Sequence, residues 1–344
     1  MHGRRRQALK EPSVDEKEQS RQRVEKYCAL NNSVMSLRAN NVFTASALDQ
    51  TKRLLELNTE LHTVWNYRRQ VFEHMDLWQD TEERQRMLEA ELGFLFEIIM
   101  KNVKSYWMWN HRVWTLNSMP RADWKKELGL VAKLLALDAR NFHGWDYRRF
   151  IVSNLKKASE GSSGSSGGEF AYTTEQINRD CANHSAWHNR SKLLPAVLEK
   201  ASSAEAQKSL LRTETDMILN AIYTDPDDQN AWLYHEWLVS IQPSDEDRCH
   251  LLRDKVAAIR ELLDLEDEKD EASNKRPLIE LVDALAALDR LEAVTDTEKN
   301  ECLETLRRLK SIDSYHVGRY SDMIQSLAQR WDLGSEHTST MISQ

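Results

Sequence analysis

Asn102-Val103-Lys104-Ser105-Tyr106 sets a lysine just before an aromatic-rich run that reads as the start of a helix. A helix start presents unsatisfied backbone N–H groups and the positive end of the peptide dipole, so an ammonium beside it favours an anion. The other reading of Lys104 is a solvated surface charge. Little else in the chain carries chemistry of its own. Cys28, Cys181, Cys249 and Cys302 are scattered without a C-x-x-C pair, so neither a disulfide framework nor a cysteine zinc site is encoded. His235-Glu236 opens like the metalloprotease H-E-x-x-H, but Val239 stands where the second histidine would be. Asn183-His184-Ser185 fits a glycosylation sequon by chance. With no metal-ligand cluster, nucleophile triad or phosphate-cradling glycine loop, the chain alone should be inactive.

The elements that must hold Lys104 follow from a repeat. An Asn or Asp is followed seven residues later by Trp and three further on by Arg: Asn58, Trp65, Arg68; Asn102, Trp109, Arg112; Asp138, Trp145, Arg148; Asp180, Trp187, Arg190. A fifth copy runs from Asp225 to Trp232 with His235 in the arginine place, and a worn sixth runs from Asp313 to Tyr320. Trp-to-Trp spacings of 44, 36, 42 and 45 describe units of about forty residues, the range of helical-hairpin solenoids, and are too variable for tetratricopeptide repeats. Each anchor is preceded by an apolar run at helical spacing, such as Leu88, Leu92, Leu95, Phe96 and Ile99 before Trp109. The Asn or Asp is expected to cap the second helix of its hairpin, with Asp225-Pro226 as cap and first helical residue. A buried indole needs an acceptor, and an arginine fork can bond carbonyls or carboxylates of the next turn. Trp65, Trp109, Trp145, Trp187, Trp232 and their arginines are therefore read as anchors holding hairpin to hairpin. The expected fold is all-α, a right-handed solenoid of antiparallel helix hairpins curved into a crescent.

N-V-K-S-Y-W-M-W-N-H-R, D-A-R-N-F-H-G-W-D-Y-R-R-F, S-A-W-H-N-R-S-K-L-L and D-P-D-D-Q-N-A-W-L-Y-H-E-W-L resemble successive repeats of protein prenyltransferase alpha subunits, over roughly residues 20 to 330. The resemblance implies a crescent wrapped around a beta subunit that holds the catalytic zinc. It implies that Lys104 faces the diphosphate of the isoprenoid donor, where negative charge builds as the leaving group departs. Tyr106 matches a tyrosine facing the substrate cleft, with a half-buried packing aromatic as the other reading. Asn141 and His143 match a turn at the same rim, where His143 either positions the phosphates or caps its hairpin. Met1-His2-Gly3-Arg4 resembles the opening of the Rab-type members, in which His2 could reach the partner's zinc; the other reading is a solvated basic tail.

Trp107 decides the subtype. Farnesyltransferase-type subunits are expected to carry glutamine there, to bind the C-terminal carboxylate of a C-a-a-X peptide, and an indole cannot reproduce that pairing. The resemblance is thus to Rab (type II) geranylgeranyltransferase alpha subunits in compact form, without leucine-rich or immunoglobulin-like modules. Such an enzyme moves geranylgeranyl from geranylgeranyl diphosphate to C-terminal cysteines of Rab GTPases delivered by an escort protein. The alternatives are a farnesyl or type I alpha subunit, and a non-catalytic helical scaffold.

With 344 residues, 40% hydrophobic and 30% charged, the chain can bury a large core. Its net charge of −8 argues against a general nucleic-acid binder, and no apolar run is long enough to span a membrane. A reducing, cytoplasmic setting is expected. The expected organisation is a mobile arm and helix start over residues 1–26, a repeat domain over 27–334 containing a flexible Gly/Ser loop at 161–168, and a tail at 335–344. The acidic run from Glu261 to Glu271 reads as a solvated face, and the worn final repeats could offer the escort protein a docking face.

Overall fold

A computed structural model describes residues 13–158, 166–266 and 275–331. Among them are fifteen α-helices, one 3-10 turn and no strand. The chain divides into two compact units, Met1–Glu160 and Gly161–Gln344. The first holds α1 (Val14–Ala39), α2 (Ala45–Leu57), α3 (His62–His74), a 3-10 turn at Asp76–Trp78, α4 (Thr81–Lys101), α5 (Tyr106–Ser118), α6 (Trp124–Leu137) and α7 (Phe142–Ala158). The second holds α8 (Ser166–Arg179), α9 (His184–Glu199), α10 (Ala204–Thr224), α11 (Gln229–Ser240), α12 (Asp245–Glu266), α13 (Lys275–Arg290), α14 (Asp296–Ile312) and α15 (Val317–Arg330).

In the first unit α2 pairs with α3, α4 with α5 and α6 with α7, and the second helices α3, α5 and α7 pack in sequence. In the second unit the pairs are α8 with α9, α10 with α11, α12 with α13 and α14 with α15. Within each unit the fold is a stack of helical hairpins. Leu54, Leu55, Leu88, Leu95, Val131 and Leu135 of the first helices and Trp65, Trp109 and Trp145 of the second helices are all buried in this stack. None of the helices described is long and apolar enough to cross a membrane.

Caps start many of the helices. Ser13 and Glu16 form a capping box on α1, Thr295 and Glu298 another on α14, and Asp80 accepts from the backbone of Glu82 and Glu83 on α4.

The structure moves one sequence expectation. The repeat Asn or Asp closes the first helix rather than opening the second: Asn58, Asn102, Asp138 and Asp225 are the C-caps of α2, α4, α6 and α10. Pro226 lies in the turn, and α11 is opened by Asp228, whose carboxylate accepts from Asn230 N. Asn183 and Asn141 do the same for α9 and α7, three residues after the repeat position. A residue that ends one helix and turns the chain must leave helical geometry, so the opening of the next helix falls to a later side chain. Ser166–Gly168, at the end of the Gly/Ser run, form the first residues of α8, and residues 159–165 lie outside the described residues. Positions 1–12, with His2, and 332–344 also lie outside them.

Candidate functional site

The five indoles act alike. Trp65 Nε1 donates to Thr59 O at 2.8 Å, Trp109 to Val103 O at 2.8 Å, Trp145 to Ala139 O at 2.9 Å, Trp187 to Cys181 O at 2.7 Å and Trp232 to Pro226 O at 2.8 Å. Each thus ties the second helix to the turn six residues before it.

The arginines tie one hairpin to the next. Arg68 bonds Leu48 O in α2 and forks onto Glu91 of α4 at 2.7 and 2.6 Å. Arg112 bonds Leu92 O in α4 and forks onto Glu127 of α6 at 3.0 and 2.7 Å. Arg190 bonds Phe170 O in α8 and forks onto Glu214 of α10 at 2.7 and 2.5 Å. The following second helix completes each carboxylate, through His111 on Glu91, Tyr147 on Glu127 and Tyr234 on Glu214. Arg148 is buried like the others. Where His235 replaces arginine, the cation comes from α12: Lys255 bonds Glu280 of α13 at 2.7 Å and lies 5.4 Å from the centre of the Trp232 ring. In the sixth repeat Tyr320 replaces Trp, and its hydroxyl bonds Asp313 at 2.8 Å.

Sequence reading missed these buried glutamates. A signal was present, because Glu91 falls on the apolar stripe of Leu88, Leu95 and Ile98, and Glu127 on that of Val131 and Leu134. Burial pushes the Glu91 carboxyl up, but the charge and hydrogen bonds of Arg68, with His111, hold it at about 2. Burial lowers His111 to about 4 against the upward pull of Glu91. Arg69 Nε donates to His111 Nδ1, which leaves Nε2–H for Glu91 and suits a neutral ring.

This frame fixes the turn that carries Lys104. Asn102 Nδ2 bonds Thr59 Oγ1 at 2.8 Å, Ser105 Oγ bonds Thr59 O at 3.3 Å, and Val103 O accepts the Trp109 indole. From the other side His143 lies against the Lys104 backbone carbonyl. The backbone is held while the Lys104 side chain is exposed, with no ion-pair partner among the described residues.

Around it lies an aromatic rim built from the starts of α3, α5 and α7. Tyr106, 53% exposed, stands edge-on to Trp107 at 5.2 Å and 5.9 Å from His143. His62 lies 5.2 Å from Trp107, and Phe142 lies 3.9 Å from His143 and is 70% exposed. The structure therefore brings Lys104, Tyr106, Trp107 and His143 together and adds His62 and Phe142. Asn141 is spent on its own turn: its side-chain oxygen accepts from Gly144 N at 3.0 Å and its amide donates to Asp138 at 3.3 Å. Burial lowers the His143 pKa, against upward pulls from Asp146, Glu60 and the Lys104 carbonyl. The arrangement can offer an anion a cation and a phenol on one rigid edge, while the single N–H of the His143 ring is directed at the Lys104 carbonyl. Among the described residues no group of three or more His, Cys, Asp or Glu is placed to hold a metal ion.

Indole-anchored hairpins joined by buried arginine–carboxylate forks, with polar groups on their turns, define a helical-repeat protein built to present a rim. Five segments match the protein prenyltransferase alpha subunit repeat: residues 45–75, 88–119, 124–155, 167–197 and 211–242. The geranylgeranyl transferase type-2 subunit alpha of Saccharomyces cerevisiae is 36% identical over 243 residues, 70% of this chain and 72% of that protein. Its Candida albicans counterpart is 30% identical over 367 aligned positions, 94% of this chain and 97% of that protein. The Bos taurus protein of the same name is 36% identical over 262 residues, 74% of this chain but only 45% of the relative, so the chain spans about half the length of the mammalian relatives it matches. Among solved structures, Candida albicans protein geranylgeranyltransferase-I complexed with GGPP superposes with a TM-score of 0.61 at 19% identity, covering 88% of this chain and 91% of that one, a likeness of fold. The chain belongs to the protein prenyltransferase alpha subunit family, among the type-2 geranylgeranyl transferase alpha subunits.

Proposed function

We propose that the chain is the alpha subunit of a Rab geranylgeranyltransferase working in the cytoplasm. It would assemble with a zinc-bearing beta subunit, receive Rab GTPases from a Rab escort protein, and pass geranylgeranyl from geranylgeranyl diphosphate to their C-terminal cysteines. The observation that carries this reading is the exposed Lys104, fixed through its backbone on a rim with Tyr106 and His143, in a chain 36% identical to type-2 alpha subunits.

In the reaction the cysteine sulfur bonds to C1 of the isoprenoid, the C1–O bond breaks, and diphosphate leaves with the electron pair. Zinc on the partner would supply the thiol as thiolate. The Lys104 ammonium meets charge that grows on the departing oxygens, so it stabilises the transition state more than the ground state. His143 directs its one N–H at the Lys104 carbonyl and so helps position the lysine's backbone rather than meeting the anion itself. Trp107 fills the rim where a type I or farnesyl subunit would bind a C-a-a-X carboxylate, which supports reliance on an escort. His2 as a ligand reaching the partner's zinc is part of the same proposal.

Co-expression with a type-2 beta subunit tests it. The expected result is an equimolar complex that prenylates a Rab only with escort protein present and leaves a free C-a-a-X peptide unmodified. A chain that stays monomeric, or a complex that accepts the free peptide directly, would contradict the reading.

A further inference from the structure

Between α4 and α6, first helices of neighbouring hairpins, lies an open groove of about 830 Å³. Its lining on α4 runs from Gln85 to Met100, roughly 22 Å at the rise of an α-helix. Much of it is apolar, and three of its large side chains remain in the open: Phe96 is 42% exposed, Met100 56% and Leu137 76%. Gly93 on α4 and Gly129 on α6 also line it, and a methyl group built on either meets nothing within 4 Å. Glycine weakens a helix relative to alanine, and no packing inside the chain requires it at either place. What two bare walls provide is room for another element to approach closely.

Charge narrows the kind of element. Lys126 and Lys133 stand two turns apart on the α6 wall, exposed and without ion-pair partners among the described residues. Lys125 beside them is likewise exposed and unpaired among the described residues, whereas Arg121 pairs with Glu82 at 2.7 Å, Asp123 caps α6, and Glu89 accepts from the Gln85 amide at 2.7 Å. The groove therefore pairs an apolar floor with one cationic edge. Both walls are helices whose backbone groups are already paired, so an extended strand would gain no main-chain bonds there, whereas a helix of matching length presents a continuous apolar stripe.

We propose that this groove docks an amphipathic helix of a protein partner, with apolar anchors at helical spacing and carboxylates two turns apart along the edge facing Lys126 and Lys133. The inference does not depend on the prenyl-transfer reading. The test is fluorescence anisotropy of a labelled amphipathic peptide about five turns long, with Leu on one face and Glu along one edge. It is titrated into the full chain, free and in complex with its beta subunit. Binding should saturate in both forms, and Gly129→Trp, which fills the groove, should weaken it about tenfold or more. Lys126→Glu with Lys133→Glu should weaken it by a similar factor, and a peptide with Lys at the edge positions should regain it. This charge swap leaves the helices intact should the tryptophan disturb them. Equal binding by wild type and Gly129→Trp, or a charge swap without rescue, would overturn the proposal. So would binding to the free chain alone, since the beta subunit would then be the occupant. Loss of a homodimer in Gly129→Trp would give the groove to a second copy, and saturable binding of geranylgeraniol without peptide binding would give it to a lipid; either result overturns the proposal.

Discussion

The Trp109 indole donates to the carbonyl of Val103 at 2.8 Å, and Val103 is the residue next to Lys104. The bond that pins the second repeat is therefore also the bond that sets the height of the candidate catalytic lysine. Trp109→Phe keeps the ring in the core but leaves that carbonyl without its donor. The expected cost is about 1–3 kcal/mol in denaturant unfolding. Prenyl transfer in the assembled enzyme should slow on the order of tenfold, because Lys104 is displaced rather than lost.

The glutamate forks predict larger losses of stability. Glu91→Ala leaves the buried Arg68 without its carboxylate and His111 without its acceptor, and should cost about 3–5 kcal/mol by denaturant unfolding. Glu127→Ala and Glu214→Ala should behave alike, since each removes the shared acceptor of an arginine and a tyrosine.

Acid should destabilise the fold in two stages. His111 is held at about 4 and His235 at about 3, both below the ordinary 6.5, so between those values the unfolded chain binds protons that the folded chain does not. Stability from this source is complete above pH 6.5 and falls as pH drops, by about 1.4 kcal/mol per unit for each group. Glu91, held at about 2 against an ordinary 4.5, extends the loss below pH 4.5. In His111→Gln the slope of unfolding free energy against pH should be shallower between 6.5 and 4, while the slope at lower pH persists.

Gly93→Ala and Gly129→Ala should each stabilise the protein by up to about 1 kcal/mol, because the added methyl meets open space and alanine is the better helix former. Thermal unfolding reads this directly. A loss of stability at either site would show that the helix needs glycine there.

Much of this was legible in the sequence for a physical reason. Trp65 and Arg68, seven and ten residues after Asn58, lie on one helix face beside a fixed turn, so their spacing records a geometry that recurs. Lys104 and its neighbours Asn102 and Ser105 stand in one such turn, which made the rim readable as a set. What escaped lies between repeats. Glu91 and Glu127 show only as glutamates on an apolar stripe until the arginine of the preceding hairpin is brought over them, and that pairing spans 23 residues for Arg68 and 15 for Arg112. The move of the cation from the His235 position to Lys255 is hidden in the same way, since it crosses from one hairpin to the next. His62 and Phe142 were missed because each opens a different helix and meets the rim only when the hairpins stack.

The proposed function turns on Lys104 as a cation offered to a partner's active site. Its most direct test is the single-turnover rate of geranylgeranyl transfer by Lys104→Ala in a purified complex with the beta subunit, beside Lys104→Arg. The predicted result is transfer slowed by roughly ten- to a thousandfold in the alanine variant, with partial recovery in the arginine variant and unchanged assembly. Transfer at the wild-type rate by an intact Lys104→Ala complex would contradict it.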